Sequence, residues 1–381
     1  MGRTHAVGIG PTPGRIMQPH HTTGRGAGEV KVFYVALKHD YGDPRRGISF
    51  EHANFFHTFS QMKGIRLIPF FFDEILRSVG REEMNRLLLE DVMKERPQVC
   101  FFTLFTEEIR KETIRTISER SGALTVNWFT DDHWRFEGFS RYWAPLFNWV
   151  ATTDYVSLEA YRKIGCSNVL CSQWACNHFL YKPRDIRRDL DVTFVGQVHS
   201  TRRNTIERLA AAGLDVRCWG KGWERGRLEV DAMIETFSRS KINLNFTESS
   251  VRWKLKPVAK VFLKRRADGS IHLNELREIS AGASVLFNRP RAQIKGRTFE
   301  VPGCGGFLLT SRADRLEEYY RLGEEIAVFE GTDDLIDKIR FYLVHEEERE
   351  RIRRAGYERT LREHTFEQRF RQLFRAMGVA A

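Results

Sequence analysis

The sequence is poor in cysteine and has no long uninterrupted apolar stretch. Six cysteines in 381 residues cannot hold a chain of this size together as disulfides hold small secreted scaffolds. Cys166, Cys171 and Cys176 stand five residues apart, without the close pairs of a structural zinc site, so they read as small core hydrophobes. No apolar run approaches the roughly 18 residues a membrane span needs. Residues 67–72 and 99–105 have the length of buried strands instead. Residues 1–29 mix Gly, Pro, His and Thr; they lack both the apolar stretch of a signal peptide and material for a core, and a disordered tail is expected there. These absences together predict a cytoplasmic protein without a transmembrane segment.

Acidic residues are also in the minority, 50 against 61 Lys and Arg, giving a formal net charge of +11. The surplus favours anionic partners without choosing among phosphates, nucleic acid and acidic head groups. A composition 41% hydrophobic and 29% charged excludes wholesale disorder and a collagen-like or coiled-coil rod. At roughly 100 to 200 residues per domain, the length predicts two domains.

From residue 30 onward, short apolar runs alternate with longer helical periods, the sign of strand-helix units around a mostly parallel sheet. Strands are expected at 31–37, 66–72, 99–105, 124–129 and 150–154. A basic stretch without periodicity, 182–190, marks a linker. A second series follows, with strands at 191–195, 216–219, 242–246 and 307–310 and a helix at 205–212. The expected fold class is therefore α/β, with two doubly wound Rossmann-like domains (30–181 and 191–364) and a last helix over 365–381. Residues 249–291 interrupt the second series with ten basic against three acidic residues, and Asp268-Gly269 signals a hairpin between 261–263 and 271–273.

Ligands of such sheets bind beyond the carboxyl ends of the strands, so a site is expected in the crevice between the domains. Gly196 leads into a helix start carrying Arg202 and Arg203, where free N–H groups and two guanidiniums suit a phosphate. Gly220 ends the next strand, and Trp223 beside it offers a stacking surface. The densest stretch is 295–306: Lys295 and Arg297 can meet phosphates, Glu300 can accept hydrogen bonds from ribose hydroxyls, and Gly305 and Gly306 let backbone approach a ligand. Asp131, Asp132 and His133 follow the fourth strand, where a first-domain base would meet an acceptor hydroxyl. Three adjacent residues on a short loop rarely converge on one ion, so no metal site is assigned to them. Glu51, Asn54 and His57, near the first helix start, are candidate acceptor contacts.

The run Arg297-Thr298-Phe299-Glu300-Val301-Pro302-Gly303-Cys304-Gly305-Gly306-Phe307-Leu308-Leu309-Thr310, with Gly323-Glu324-Glu325-Ile326, Gly356-Tyr357-Glu358-Arg359 and His364-Thr365-Phe366-Glu367-Gln368-Arg369, resembles the C-terminal half of CgeB-type, family-4-like glycosyltransferases. Phe194-Val195-Gly196, Trp219-Gly220-Lys221-Gly222-Trp223 and Lys241-Ile242-Asn243-Leu244-Asn245 fit the same pattern. The resemblance implies a GT-B fold, two Rossmann-like domains facing a cleft, and transfer of a sugar from a nucleotide-diphosphate donor to a glycan, lipid-linked or protein acceptor. By that likeness Glu300 falls at the donor ribose, Arg202 or Arg203 with Lys295 near the diphosphate, and the last helix crosses back to the first domain. The nucleotide sugar is a co-substrate; no cofactor or metal is implied. One departure stands out. Retaining relatives often carry two glutamates separated by seven residues, but the positions eight away from Glu300 are Ala292 and Leu308, so retention and inversion both stay open.

Two other readings attach to residues 249–291. Clustered Lys and Arg with Trp253 and Phe262 suit nucleic acid, either as the main function or on a catalytically silent relative. The same charge suits peripheral contact with an anionic surface.

Overall fold

The computed structural model describes residues 29–247, 263–265, 271–273 and 292–380. The tail expected before residue 29 and nearly all of the basic segment lie outside the described residues. The first domain is a six-stranded parallel sheet in the order β2-β1-β3-β4-β5-β6. Its strands are β1 (Val30–Ala36), β2 (Ile65–Phe71), β3 (Val99–Phe102), β4 (Leu124–Phe129), β5 (Trp149–Thr152) and β6 (Val169–Cys171). β1 is apolar on both faces because both are covered, as parallel sheets require. Phe33 and Val35 enter a core with the helices Phe72–Glu95 and Lys111–Arg120, whereas Val32, Tyr34 and Ala36 face Phe55, Phe59 and Trp128. The period of two along the strand makes that division.

The second domain is a five-stranded parallel sheet in the order β13-β12-β9-β7-β8. Its strands are β7 (Leu190–Val195), β8 (Val216–Trp219), β9 (Ser240–Asn245), β12 (Leu308–Ser311) and β13 (Ala327–Phe329). β10 (Leu263–Arg265) pairs antiparallel with β11 (Ile271–Leu273), Leu263 opposite Leu273. In each large sheet the strand order reverses beside the first strand, between β1 and β3 and between β7 and β9. Such switch points open crevices at the carboxyl ends of the strands.

Several local expectations change. β3 stops at Phe102, three residues early, because Leu104 N–H turns to the Asn127 side chain (3.0 Å) and leaves the ladder. The first helix of the second domain starts at Ser200 instead of residue 205, directly after the strand-end loop. The glycine-rich stretch 295–306 contains the helix Arg297–Gly303.

The helix Phe366–Ala376 lies on the first domain. Phe366, Phe370, Leu373 and Phe374 recur on one face and are buried, and Phe370 stacks on Phe59 at 4.0 Å between ring centroids. A capping box of Thr365 and Gln368 fixes its start. Where the chain passes between domains its two crossings touch: Cys176 N–H donates to the His364 carbonyl (2.9 Å) and Phe366 N–H to the Cys176 carbonyl (3.0 Å).

His364 is buried at that junction. Its Nε2 donates to the Tyr319 carbonyl (2.6 Å) while Arg369 donates to its Nδ1 (3.2 Å), which leaves no place for a second ring proton. Burial, then the Arg369 charge, lowers its pKa from 6.5 to about 4. The folded state thus refuses a proton that the unfolded chain accepts. Stability from this group is complete above about pH 6.5 and is lost as pH falls through about 4, by up to about 3 kcal/mol. Half-buried His52, also lowered to about 4 by burial and by Lys38 and His39, adds to the loss over the same window. His364→Gln is expected to flatten part of the stability-pH profile between pH 6.5 and 4, measured by chemical denaturation; an unchanged slope contradicts the assignment. Phe370→Ala is expected to cost about 3–5 kcal/mol, seen as a lower denaturation midpoint of the first domain.

Candidate functional site

On the second-domain side the switch point is built from the ends of β7 and β9. Gly196 N–H donates to the Trp219 carbonyl (2.8 Å), and Gly220, with φ 133°, lies so close that a Cβ on it would stand 2.2 Å from the Gly196 oxygen. Any side chain at Gly220 would push the two strand ends apart. Trp223 is committed to this corner: its indole N–H donates to the Gly196 carbonyl (2.9 Å) and its ring meets Phe194 edge-on. Arg203 lies over Trp223 at 5.6 Å and reaches the Gly222 carbonyl. Arg202 spans the switch point, donating to the Gln197 carbonyl (2.8 Å) after β7 and to the Phe246 carbonyl (3.0 Å) after β9.

Lys295 joins this side to the other domain. Burial is the main cause lowering its pKa and the nearby Arg202 charge adds to it, while Asp131 of the first domain works in the opposite direction. Burial works to lower the Arg297 pKa, but its pairing with Glu300, together with Tyr181 and Cys304, raises it on balance. Glu300 is wholly buried and its Oε1 has no hydrogen-bond partner among the described residues. An orphaned carboxylate oxygen is costly inside a protein. It lies beneath Gly296, where a Cβ would be 3.4 Å from Oε1 and 3.0 Å from the ring of Phe50 in the first domain.

Gly305 and Gly306 are explained by packing. A Cβ on Gly305 would meet Pro183 at 3.1 Å, and one on Gly306 would meet Asn243 Nδ2 at 2.9 Å. Their bareness lets the helix Arg297–Gly303 close onto β9 and the linker.

On the first-domain side the three residues after β4 separate. Asp132 turns into the core, where Ser140 (2.5 Å), Thr152 (2.6 Å) and Tyr161 (2.7 Å) all donate to it. Burial raises its pKa despite these bonds, and it anchors the loop instead of presenting an acid to the crevice. His133 is half-buried in the next turn. The Asp131 charge acts on Lys295 across the domain boundary. Asn54 and His57 are likewise turned inward: Asn54 donates to the Phe50 carbonyl (3.1 Å), and Asn177 joins the Ala53 carbonyl to His57.

Glu51 behaves differently. It is only partly exposed, and burial, followed by the charges of Asp131 and Asp40, raises its pKa to about 7 against the pull of Arg135. Asp40 also bonds Arg46 (3.0 Å) and, across the crevice, Arg227 of the second domain (3.0 Å). Tyr41 was not singled out from the sequence, since a loop aromatic carries no pattern of its own. It is 61% exposed with φ 55°. Its ring rests edge-on against Phe105 at the end of the β3 segment (5.5 Å), under Arg46 (4.4 Å). Among the described residues, no group of three or more His, Cys, Asp or Glu is disposed to hold a metal ion, and no helix is long and apolar enough to cross a membrane.

Residues 249–375 match a protein-family model described as glycosyl transferase-like. No curated protein matches the chain. Among solved structures the chain is similar to Anabaena HepE in complex with UDP and glucose, at TM-score 0.54 and 10% identity over 92% of this chain and 100% of that one. It is also similar to a glycosyltransferase from Rickettsia africae, at 0.56 and 7% over 92% and 100%. Sucrose-phosphate synthase of Thermosynechococcus elongatus gives 0.56 and 9% over 92% and 99%. The fold is GT-B: two Rossmann-like parallel-sheet domains with their strand ends turned to one cleft.

Loss of the Asp132 anchor leaves Thr152 and Tyr161 without their acceptor. Asp132→Ala is expected to destabilise the protein by about 3 kcal/mol or more, measured by chemical denaturation, whereas Asp131→Ala, on the crevice side, is expected to stay within about 1 kcal/mol. Equal costs would contradict the division of roles.

Proposed function

We propose that the chain is a metal-independent glycosyltransferase, related to the CgeB-type enzymes. It moves a hexosyl group from a nucleotide-diphosphate donor held by the second domain to a hydroxyl presented by the first. The observation that carries this reading is the buried Glu300 Oε1, without a partner among the described residues, under the domain contact and on the segment that also carries Lys295. A ribose hydroxyl donates to such an oxygen, and a diphosphate suits Lys295 and Arg202. The GT-B fold and the glycosyl transferase-like match support the same chemistry. As the sugar leaves, charge develops on the diphosphate, and fixed Lys295, Arg202 and the N–H groups after Gly196 stabilise it without a divalent ion. Arg203, held over Trp223, serves as an outer charge of that site. HepE was crystallised with UDP, which makes UDP the first nucleotide to test. Six unpaired cysteines suit a reducing, cytoplasmic setting.

A thermal-shift panel of UDP, GDP, ADP, CDP and dTDP is expected to show selective stabilisation by one nucleotide, about 2.7 kcal/mol at 100 times its Kd. Glu300→Gln and Lys295→Ala are each expected to weaken that nucleotide about 10- to 100-fold, the worth of one hydrogen bond to a charged group. No response to any of the five, beside salt-sensitive oligonucleotide binding, would overturn the reading in favour of a nucleic-acid-binding protein.

A further inference from the structure

A cavity of about 360 Å³ opens where the helix Glu346–Glu363 of the second domain meets the helix Phe366–Ala376 that lies on the first. It shares no residue with the cleft. Its lining, Arg362, Glu363, Gln368, Arg369, Gln372 and Arg375, is wholly polar, which suits neither an apolar ligand nor a docked amphipathic helix.

Arg369 is half-buried and held from three sides. It donates to the Gln173 carbonyl (3.3 Å), the Glu363 carbonyl (3.2 Å) and His364 Nδ1 (3.2 Å). None of these acceptors is a carboxylate, and two of the five N–H groups of a guanidinium are left without a partner among the described residues. Burial is the main cause lowering its pKa, so the charge stands where the fold penalises it. Arg375 is exposed, and its Nε donates to the Arg371 carbonyl (3.3 Å). The one acid of the lining, Glu363, is shared between Arg362 (2.9 Å) and Arg359 (2.8 Å). Gln368 spends its amide N–H groups on the Leu361 (3.2 Å) and Arg362 (2.6 Å) carbonyls. Three guanidiniums against one carboxylate leave two positive charges uncompensated on the lining.

We propose that this corner is a second anion site, separate from the cleft, that takes a small phosphate ester. A phosphate monoester carries close to two negative charges near neutral pH, and its oxygens match the guanidinium fork. A free phosphate ion leaves most of such a cavity to water, whereas an ester brings hydroxyls that Gln372 and Glu363 can meet. Arg362 belongs to the second domain, and Arg369 and Arg375 to the helix packed on the first. A phosphate between them ties the two domains together beside the backbone joint at Cys176. The site owes nothing to the transferase reading.

Isothermal titration of the full-length protein with glucose 6-phosphate, inorganic phosphate and glucose, at constant ionic strength set with KCl, tests this. Glucose 6-phosphate is expected to bind about tenfold or more tighter than inorganic phosphate, and glucose not at all. Arg369 braces the joint, so the variants are placed on the exposed rim. Arg362→Ala and Arg375→Ala are each expected to keep the wild-type melting temperature without ligand and to weaken the ester about 10-fold, the worth of one hydrogen bond to a charged group. The double variant Arg362→Glu/Arg375→Glu is expected to abolish binding, while Lys295→Ala, altered in the cleft, binds the ester as the wild type does. Ester binding lost in Lys295→Ala but kept in the double variant belongs to the cleft and overturns the proposal. Equal affinity for ester and free ion, or no binding of either, overturns it as well.

Discussion

The structure depends on the backbone joint at Cys176, where the two passages of the chain between domains hydrogen-bond to each other. The peptide groups on either side of this residue would otherwise be buried without partners, which costs more than the bonds themselves return. Satisfying them from His364 and Phe366 fixes where the last helix starts, and hence which face of the first sheet it covers. That helix completes the aromatic core around Phe55, Phe59, Phe101 and Trp128. The first domain is therefore finished by residues that follow the second in sequence. A joint at one end, with the strand ends turned inward, leaves a cleft whose walls are held in register from behind.

The two walls differ in charge, and the difference follows from which loops the switch points expose. The second-domain wall brings Arg202 and Lys295 together, with Arg297 just behind, paired to Glu300. The first-domain wall brings Asp40, Glu51 and Asp131 together. Among the described residues, contacts that cross between the domains include Arg227 with Asp40, Phe50 against Gly296, Arg315 over Tyr155 at 4.5 Å, and the attraction between Lys295 and Asp131. Such a division suits a donor that becomes more negative as it reacts and an acceptor that must give up a proton.

The architecture was readable in the sequence because parallel strands buried on both faces leave unmistakable apolar runs, as at 31–37 and 124–129. The three-residue strands β6 and β13 are too short to show any period and passed unseen. Within the site, local pattern identified regions better than roles. Asp131 and Asp132 look equivalent in a sequence, yet adjacent positions in a tight turn point to different surroundings, and one entered the core. Gly305 and Gly306 read as a ligand loop because sequence cannot say what a missing Cβ would have met. Glu51 was visible as a residue near a helix start, but its altered basicity comes first from burial and then from Asp131 and Asp40, eighty and eleven residues away in the chain, and only folding brings these about.

The central claim is that a nucleotide diphosphate binds at the β7/β9 switch point and against Glu300. Peptide-level hydrogen exchange, with and without the nucleoside diphosphate that stabilises the protein, tests it most directly. Slowed exchange is predicted at residues 196–204 and 295–301, with the far edges of both sheets unchanged. Equal exchange at both segments under saturating nucleotide would contradict it.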